Sequence, residues 1–471
     1  MIRLIQWAVV ATAFWCSLSN AAHGQNADLI STRSLNQVQG LASNLGIPSG
    51  VLALDYAVAK YRVTYPMMYL GLPYQVTGAL YIPVNDEGNA LPCAFPTHTY
   101  MHGTIFERDD APSYFGFEGE LGYLMASGGM LTLMPDYLGL GGSTEVLHPY
   151  VHADSEAEAG LALLAAVETL SDDLGLAMNG QHFVSGYSQG GHAAMAMAQR
   201  MQEDTDAGFP LAAAAPMSGP YDMSGAQLPV GMAADQYSNP AYLAYILLSW
   251  QQTYGNIYVE LSEIFQEPFA SELPAMFDGE TNGDMINAYL AGPTADIVQP
   301  GVFEGLMEED HPFFLAAQDN DLYQWVPESP IQMYYCTMDE QVFYENALVA
   351  ASWMNTNGAQ SVTTIDGGPL DHGGCALLAI LGGTLWINDQ AALCTPFSVE
   401  ARSNQPLTWR SSPDGAEIQG LQLGETWTLF GVDGKTIDRG MSTGQRTLIS
   451  PPQGLSILLG SSGRSIRLAV D

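Results

Sequence analysis

The architecture of this 471-residue chain is indicated most directly by His182-Phe183-Val184-Ser185-Gly186-Tyr187-Ser188-Gln189-Gly190-Gly191. The first four of these residues are typical of a short buried strand, and the Ala- and Met-rich run 192–201 that follows is typical of a helix. The G-x-S-x-G pattern between them predicts a sharp strand-to-helix turn, with glycines where side chains would collide as strand and helix approach. Such a turn presents the hydroxyl of Ser188 above a sheet, so the pattern predicts a nucleophilic serine.

The segments on either side of this turn alternate between strand and helix patterns. Alternating β-branched and aromatic residues in 51–83 predict antiparallel strands, and apolar runs at 93–100, 129–134, 211–217 and 331–337 predict buried strands. Helical spacing occupies 155–170 between two of these runs. This order predicts an α/β fold, with a mostly parallel sheet covered by helices on both faces.

The chain divides into three parts, and the second of them contains a long insertion. Residues 1–24 combine a short apolar run with small residues, which is typical of a signal peptide, and 25–396 hold the predicted catalytic domain. About 110 residues, roughly 220–328, separate two predicted strands and form a helical insertion, either a mobile lid over a pocket or an ordinary helical layer. Short alternating runs separated by turns predict a small β-sandwich-like domain in 397–471. No internal repeat is visible.

A general base for Ser188 can be sought from chain order, because folds with this turn place their catalytic groups in the order serine, acid, histidine. Only His311 and His372 lie far enough beyond the serine. His311 follows three acidic residues inside the insertion, where a solvated cluster explains it. His372 precedes Gly373-Gly374 in a turn before a helix, so it is the predicted base. His192, one helical turn after Ser188, is expected to pack beneath the helix that follows the serine.

The acid that orients the base should follow the strand preceding the histidine loop. Asp339 meets this condition, since it follows the strand-like run 333–338. Asp366 and Asp371 compete on proximity to His372, but neither ends a predicted strand. Glu340 is the local alternative. The sequence therefore predicts Ser188, His372 and Asp339 as a catalytic triad.

Acyl transfer also needs hydrogen-bond donors for the oxyanion. One predicted donor is the backbone N–H of Gln189, directly after the nucleophile, and the other is the N–H of Thr104 in the loop after strand 93–100. The N–H of His102 or Gly103 is the alternative if that turn has another register. We predict neither a cofactor nor a metal, because the histidine pairs spaced four apart have no H-E-x-x-H pattern.

Four cysteines remain after the predicted signal peptide, and they can form disulfides in the oxidising environment that an exported protein enters. Cys375–Cys394 is the preferred pair because it would fix the loop that carries His372. Cys93 and Cys336, each in an apolar strand-like run, are expected to be buried free thiols.

Charge excludes some partners. Lys and Arg number 13 against 50 for Asp and Glu, a formal net charge of −37. Such a field repels nucleic acid and anionic lipid surfaces, so we expect no nucleic-acid partner. No segment stays apolar over the roughly 20 residues that span a bilayer, so stable membrane insertion is not expected either.

Several of these segments together resemble the secretory lipase and esterase branch of the α/β-hydrolase superfamily. They are residues 135–141 (Pro-Asp-Tyr-Leu-Gly-Leu-Gly), His148-Pro149-Tyr150, the GYSQGG turn, Asp339 and His372. The resemblance implies an α/β-hydrolase fold with a capped pocket, and cleavage of a small-molecule or lipid ester through an acyl-enzyme on Ser188. A carbohydrate-acyl (acetyl or feruloyl) esterase, a peptidase, and an inactive surface binding protein stay open as alternatives.

The tail resembles the C-terminal sorting module of the bacterial type IX secretion route. The resemblance rests on residues 430–435 (Phe-Gly-Val-Asp-Gly-Lys) and 452–457 (Pro-Gln-Gly-Leu-Ser-Ile). It implies contact with secretion machinery and a secreted or cell-surface location. The last strand departs from the usual lysine-rich ending, since it has Arg464 and Arg467 instead.

Overall fold

The structure is a computed structural model that describes residues 24–114, 116–234 and 237–394 and, further along, 408–412, 415–419, 426–431, 436–442, 446–449, 454–460 and 465–470. It divides into two compact units, Met1–Thr395 and Pro396–Asp471. Apart from its last residue, the predicted signal peptide lies outside the described residues.

Within the described part of the first unit, nine strands form one sheet. They are β1 (Asn26–Arg33), β2 (Ala57–Tyr69), β3 (Leu72–Val84), β4 (Ala94–Met101), β5 (Leu131–Pro135), β6 (Ala177–Tyr187), β7 (Leu211–Met217), β8 (Ile331–Tyr335) and β9 (Val362–Asp366). Their spatial order is β1-β2-β3-β5-β4-β6-β7-β8-β9. The first four in this order pair antiparallel, and those from β5 to β9 pair parallel. The predicted mostly parallel sheet with an antiparallel opening is confirmed.

Helices cover the sheet and fill the insertion. The described helices are α1 (Leu35–Asn44), α2 (Phe117–Ser127), α3 (Ala153–Leu174), α4 (Gln189–Glu203), α5 (Leu228–Ala233), α6 (Pro240–Tyr254), α7 (Phe269–Met276), α8 (Gly283–Tyr289), α9 (Val302–Leu306), α10 (Pro312–Asp319), α11 (Glu345–Thr356) and α12 (His372–Gln390). Apolar side chains of α3, α4 and α11 join one buried cluster with the strands, and those of α1, α2 and α12 join another. Because both faces are covered, the central strands are buried: every residue of β5 is buried.

The helices α5 to α10 lie between β7 and β8 and form the predicted helical insertion, here called the cap. The cap has an apolar cluster of its own, in which Trp250, Leu273, Ile286 and Phe313 are fully buried. These large side chains give the cap a separate core above the carboxyl ends of the parallel strands. Whether the cap moves as a lid stays a prediction.

The cap contains a structural repeat with an offset of 33 residues. A 3₁₀ turn at Leu261–Glu263 leads through Phe265 into α7, and a second turn at Thr294–Asp296 leads through Val298 into α9. Phe265 and Val298 form an antiparallel bridge, with reciprocal backbone bonds of 2.8 Å from Gln266 N to Ile297 O and from Gln299 N to Ile264 O.

The two glutamine side chains complete this repeat. The amide of Gln266 donates to Ala295 O (2.9 Å) and Val298 O (2.7 Å), and that of Gln299 donates to the matching Ser262 O (2.9 Å) and Phe265 O (3.5 Å). The two segments share few identical residues. Their similarity lies in the backbone hydrogen bonds, which cannot be seen in the sequence.

Both cysteine predictions are wrong. The structure bonds Cys93 to Cys394 and Cys336 to Cys375, with Cα–Cα distances of 6.0 and 6.1 Å. Cys375 lies in the first turn of α12 and Cys394 beyond its last residue. A helix rises about 1.5 Å per residue, so the 15 residues from Cys375 to the end of α12 at Gln390 carry the chain roughly 22 Å away from Cys375 before Cys394 is reached. Each of them is instead bonded to a cysteine near a strand end.

The described part of the second unit is entirely antiparallel β-structure. Its strands are β10 (Thr408–Ser412), β11 (Gly415–Gln419), β12 (Thr426–Gly431), β13 (Thr436–Met441), β14 (Arg446–Ile449), β15 (Gly454–Gly460) and β16 (Ser465–Val470). They form a sheet in the order β10-β11-β14 and another in the order β13-β12-β15-β16. The predicted small all-β domain is confirmed, and its role in sorting stays a prediction.

Candidate active site

Ser188 sits between the end of β6 and the start of α4, in the conformation that the sequence pattern predicts. Its backbone has φ 62° and ψ −124°, which is strained for a residue with a side chain. A β-carbon on Gly186 would collide with the carbonyl oxygen of Gly190, and one on Gly190 would collide with that of Met101. Only glycines therefore allow this close crossing of strand and helix.

His372 connects Ser188 to Asp339. Its Nδ1 lies 2.7 Å from Asp339 Oδ2, and its Nε2 lies 2.9 Å from Ser188 Oγ. A carboxylate only accepts, so Nδ1 carries the hydrogen and Nε2 is free to accept the serine proton. The other carboxylate oxygen of Asp339 accepts the N–H groups of Gln341 (3.1 Å) and Val342 (2.9 Å), which fixes its orientation. All three side chains are buried.

The rival residues lie elsewhere or contact a different atom. Asp366 accepts from Gly368 N, and Asp371 caps α12 by accepting from Gly374 N. His311 caps α10 in the cap. Glu340 does reach the site, but it accepts the backbone N–H of His372 at 3.1 Å instead of the imidazole. The structure therefore brings together the three residues predicted as a triad, and their catalytic roles stay predictions.

The loop that carries His372 is held from two further sides. Tyr187, next to the serine, donates its hydroxyl to His372 O at 2.6 Å. Burial raises the pKa of Tyr187 above its ordinary value, so the hydroxyl keeps its proton for this bond. The Cys336–Cys375 disulfide then joins the end of β8 to the first turn of α12. These contacts, which sequence reasoning missed, fix the imidazole between its two partners.

The predicted oxyanion donors flank the serine. Neither Gln189 N–H nor Thr104 N–H has a hydrogen-bond acceptor among the described residues. Gly103 N–H is occupied, because it donates to Glu118 Oε1 at 3.0 Å, and this argues against Gly103 as a donor. A β-carbon built on Gly103 would lie 3.8 Å from Ser188 Cβ, so the loop passes directly beside the nucleophile.

A buried polar network lies beneath the serine. The amide nitrogen of Gln189 donates to His148 Nε2 (2.7 Å) and to Glu156 Oε1 (2.9 Å). His192 lies 2.7 Å from the second oxygen of Glu156 and 3.0 Å from Asn320 O. Burial lowers the pKa of His148 to about 3, so this ring is neutral and its Nε2 accepts. His192 thus packs beneath the nucleophile helix as predicted, whereas the carboxylate partner on α3 gave no sequence signal.

A cavity of about 170 Å³, here called the chamber, opens beside Ser188 and extends into the cap. Most of its wall is apolar: Met223, Leu228, Met232, Leu243, Ile246, Phe265, Leu290, Ile297, Val298 and Phe303. Its tyrosine hydroxyls already have partners, since Tyr237 donates to Gln341 O and Tyr242 to Gln341 Oε1. The amide of Gln227 likewise donates to Gln341 O. The chamber therefore suits an apolar group joined to an atom that Ser188 can attack.

No group of three or more His, Cys, Asp or Glu side chains in the described segments could hold a metal ion. No helix among the described residues is long and apolar enough to cross a membrane.

Comparison with known proteins places this fold. No family model matches the chain, and no curated protein matches it. The rice cell wall degrading esterase LipA from Xanthomonas oryzae matches with 26% identity and a TM-score of 0.68, over 78% of this chain and 97% of that chain.

Two structures of lower sequence identity agree. A protein of Legionella pneumophila matches with 24% identity and a TM-score of 0.71, over 78% of this chain and 97% of that one. Candida antarctica lipase A matches with 13% identity and a TM-score of 0.54, over 77% of this chain and 81% of that one. With the sheet order, the strand-to-helix turn at Ser188, here called the elbow, and the cap, these matches show that the chain has the α/β-hydrolase fold.

Proposed function

We propose that the protein is a serine hydrolase that cleaves carboxylic esters with an apolar acyl group. The observation that carries the proposal is the continuous hydrogen-bonded chain from Asp339 through His372 to Ser188, at the mouth of an apolar chamber. The similarity to an esterase at 26% identity supports the same reaction class.

The reaction would proceed in two steps. Ser188 Oγ attacks the acyl carbon while His372 Nε2 takes its proton, and the negative oxygen is stabilised by the N–H groups of Gln189 and Thr104. His372 returns the proton to the leaving alcohol, leaving an acyl-enzyme on the serine. Water, deprotonated by the same imidazole, then releases the acid. Asp339 holds the ring and stabilises its charged form in both steps.

The chamber indicates which part of the substrate it takes. The polar side chains in its wall that are named above have their donors bonded to the protein, so a sugar hydroxyl placed there would lose hydrogen bonds with water. An aliphatic or aromatic acyl group loses none, and burying it is favourable. This argues against a sugar inside the chamber, but a carbohydrate could still be the alcohol side of the ester outside it.

Steady-state hydrolysis of p-nitrophenyl acetate, butyrate, octanoate and palmitate tests the proposal. We expect turnover by the wild type and its loss in Ser188→Ala and His372→Ala, together with labelling of Ser188 by a fluorophosphonate. His311→Ala is the matched control, because it removes the other candidate histidine and should keep full activity. An active Ser188→Ala variant would exclude the mechanism, an inactive wild type would favour a binding protein, and preferred cleavage of amides would favour a peptidase.

We further propose that the protein is exported, with residues 1–24 as signal peptide and 397–471 as a sorting module for outer-membrane export. Two disulfides in the first unit support an oxidising destination. Fractionation of a producing bacterium tests this. Deletion of 397–471 should leave the enzyme in the periplasm, whereas unchanged release to the medium would exclude a sorting role.

A further inference from the structure

The loop 102–104 beside the elbow is anchored at consecutive peptide groups. Tyr137 Oη donates to His102 O at 3.1 Å, and the Nδ1 of His102 lies 2.7 Å from Gly103 O. Gly103 N–H donates to Glu118 Oε1 at 3.0 Å. The next N–H along the chain, that of Thr104, has no acceptor among the described residues. The loop thus leaves this donor available beside the nucleophile.

Glu118 is an unusual residue to find at this place. It lies in the first turn of α2, and its second oxygen accepts the hydroxyl of Tyr100 at 2.8 Å. Burial raises the pKa of Glu118 above its ordinary value, so the fold places a carboxyl where its charge is disfavoured. Tyr100 lies in the buried strand β4, whose end leads into the loop. The proposed reaction steps use neither residue.

The space around Gly103 shows how closely the carboxylate and the elbow enclose the loop. A β-carbon on Gly103 would lie 2.9 Å from Glu118 Oε1, 3.4 Å from Tyr187 O and 3.8 Å from Ser188 Cβ. Glycine lacks the steric limits that fix the peptides of other residues. The hydrogen bond from Gly103 N–H to Glu118 therefore restricts the orientation of this segment.

We propose that Glu118 is a positioning residue for oxyanion binding. By accepting the N–H of Gly103, it holds that group away from the reacting atoms and directs the N–H of Thr104 toward the oxyanion. The inference rests on the proposed ester hydrolysis. The carboxylate never touches substrate. It acts through the loop, and Tyr100 fixes the carboxylate in turn.

Because the oxyanion exists only in the transition state, the loss of this positioning lowers kcat and leaves KM nearly unchanged. Removal of one oxyanion donor costs about 10²–10³ in kcat in enzymes of this kind. A donor that is only misdirected costs less, so we expect a decrease of roughly 10- to 100-fold.

Two near-isosteric variants isolate the hydrogen bond. In Glu118→Gln, the amide oxygen can accept from Gly103 N–H while its nitrogen donates to Tyr100, so kcat should stay within about threefold of wild type. Glu118→Met fills the same space without an acceptor and should lose 10- to 100-fold in kcat. Glu120→Met is the matched control: it lies two residues along the same helix, its partner is Arg33, and it should keep kcat.

The second readout is affinity for a trifluoromethyl ketone, which forms an oxyanion with the serine. Its Ki should rise in Glu118→Met by the same factor as kcat falls, whereas KM for the octanoate ester should not change. If Glu118→Met does not fold, as judged by circular dichroism, Glu118→Ala takes its place. An equal kcat in wild type and the acceptor-free variant would overturn this inference alone. An inactive wild type would overturn the proposed function, so the two failures are distinct.

Discussion

Cys336 is disulfide-bonded to Cys375, and this bond joins the two segments that carry the candidate acid and base. Cys336 precedes Asp339 by three residues and Cys375 follows His372 by three. The same two segments are therefore joined twice, by the 2.7 Å Asp339–His372 hydrogen bond and by the covalent bond. The second disulfide, Cys93–Cys394, joins other segments of the chain.

Removal of one disulfide should therefore mainly lower stability, and removal of the other should mainly lower activity. In the chain-entropy description, their sequence separations of 39 and 301 residues correspond to about 4 and about 5–6 kcal/mol, so the double alanine variant of Cys93 and Cys394 should lose more stability. The double alanine variant of Cys336 and Cys375 should lose more kcat, at least tenfold, because its acid and base segments can separate. Urea unfolding and ester kinetics measure the two quantities, and the same ranking in both would contradict the idea.

Asp339→Asn should lower kcat by about 10³–10⁴ with little change in KM, because an amide can hold His372 in the wrong tautomer. Asp371→Asn and Asp366→Asn are matched controls, since these carboxylates accept only from Gly374 and Gly368 in their own turns. Each control should keep kcat within about threefold of the wild-type value. Asp371→Asn should also lose a little stability, because asparagine replaces the aspartate at the N-cap of α12. A large loss of kcat in Asp366→Asn would identify Asp366, at the end of β9, as the catalytic acid instead of Asp339.

Gly103→Ala should lower kcat at least tenfold, because its β-carbon would lie 2.9 Å from Glu118 Oε1 and would push the carboxylate off the loop. Gly373→Ala is the control, since the space around that glycine is open and it lies next to His372 in sequence. Kinetics with the butyrate ester compare the two. Wild-type kcat in Gly103→Ala would mean that the loop tolerates displacement of Glu118.

Leu243→Trp should change acyl-chain preference. Leu243 lines the apolar chamber, and a larger side chain there takes up space that a long acyl group needs. We expect at least a tenfold loss in kcat/KM for the palmitate ester and less than about threefold for the acetate. Leu315→Trp, on the exposed side of the cap helix α10, is the control for added bulk. A parallel decrease for both esters would show that the chamber does not bind the acyl group.

Lys60 should make stability depend on pH in the alkaline range. It is only 5% exposed, and burial lowers its pKa to about 8 from 10.5. Between these values the unfolded chain binds a proton that the folded chain does not, so stability rises with pH. From pH 8 to about 9.5, the wild type should gain roughly 1–2 kcal/mol relative to Lys60→Met. Urea unfolding of both proteins across this range measures the difference, and parallel curves would contradict it.

Local sequence patterns were enough to predict the individual strands, helices and turns around the candidate site. The glycines around Ser188, the apolar strand before it and the helix after it follow from sterics and periodicity, and chain order then selected His372 and Asp339. The alternation of strands and helices likewise predicted the sheet and the helical insertion. Each of these conclusions needs only the residues within one element and the order of the elements.

The other contacts between residues far apart in sequence, in contrast, could not be predicted and are known from the folded structure. The length of α12 separates Cys375 from Cys394, so both disulfides differ from the predicted pair. The paired repeat in the cap depends on backbone hydrogen bonds between dissimilar residues. Glu118 and Glu156 are single carboxylates on helices, without a motif, and their partners come from other elements. Such contacts depend on how helices pack on the sheet, and local sequence patterns do not specify that packing.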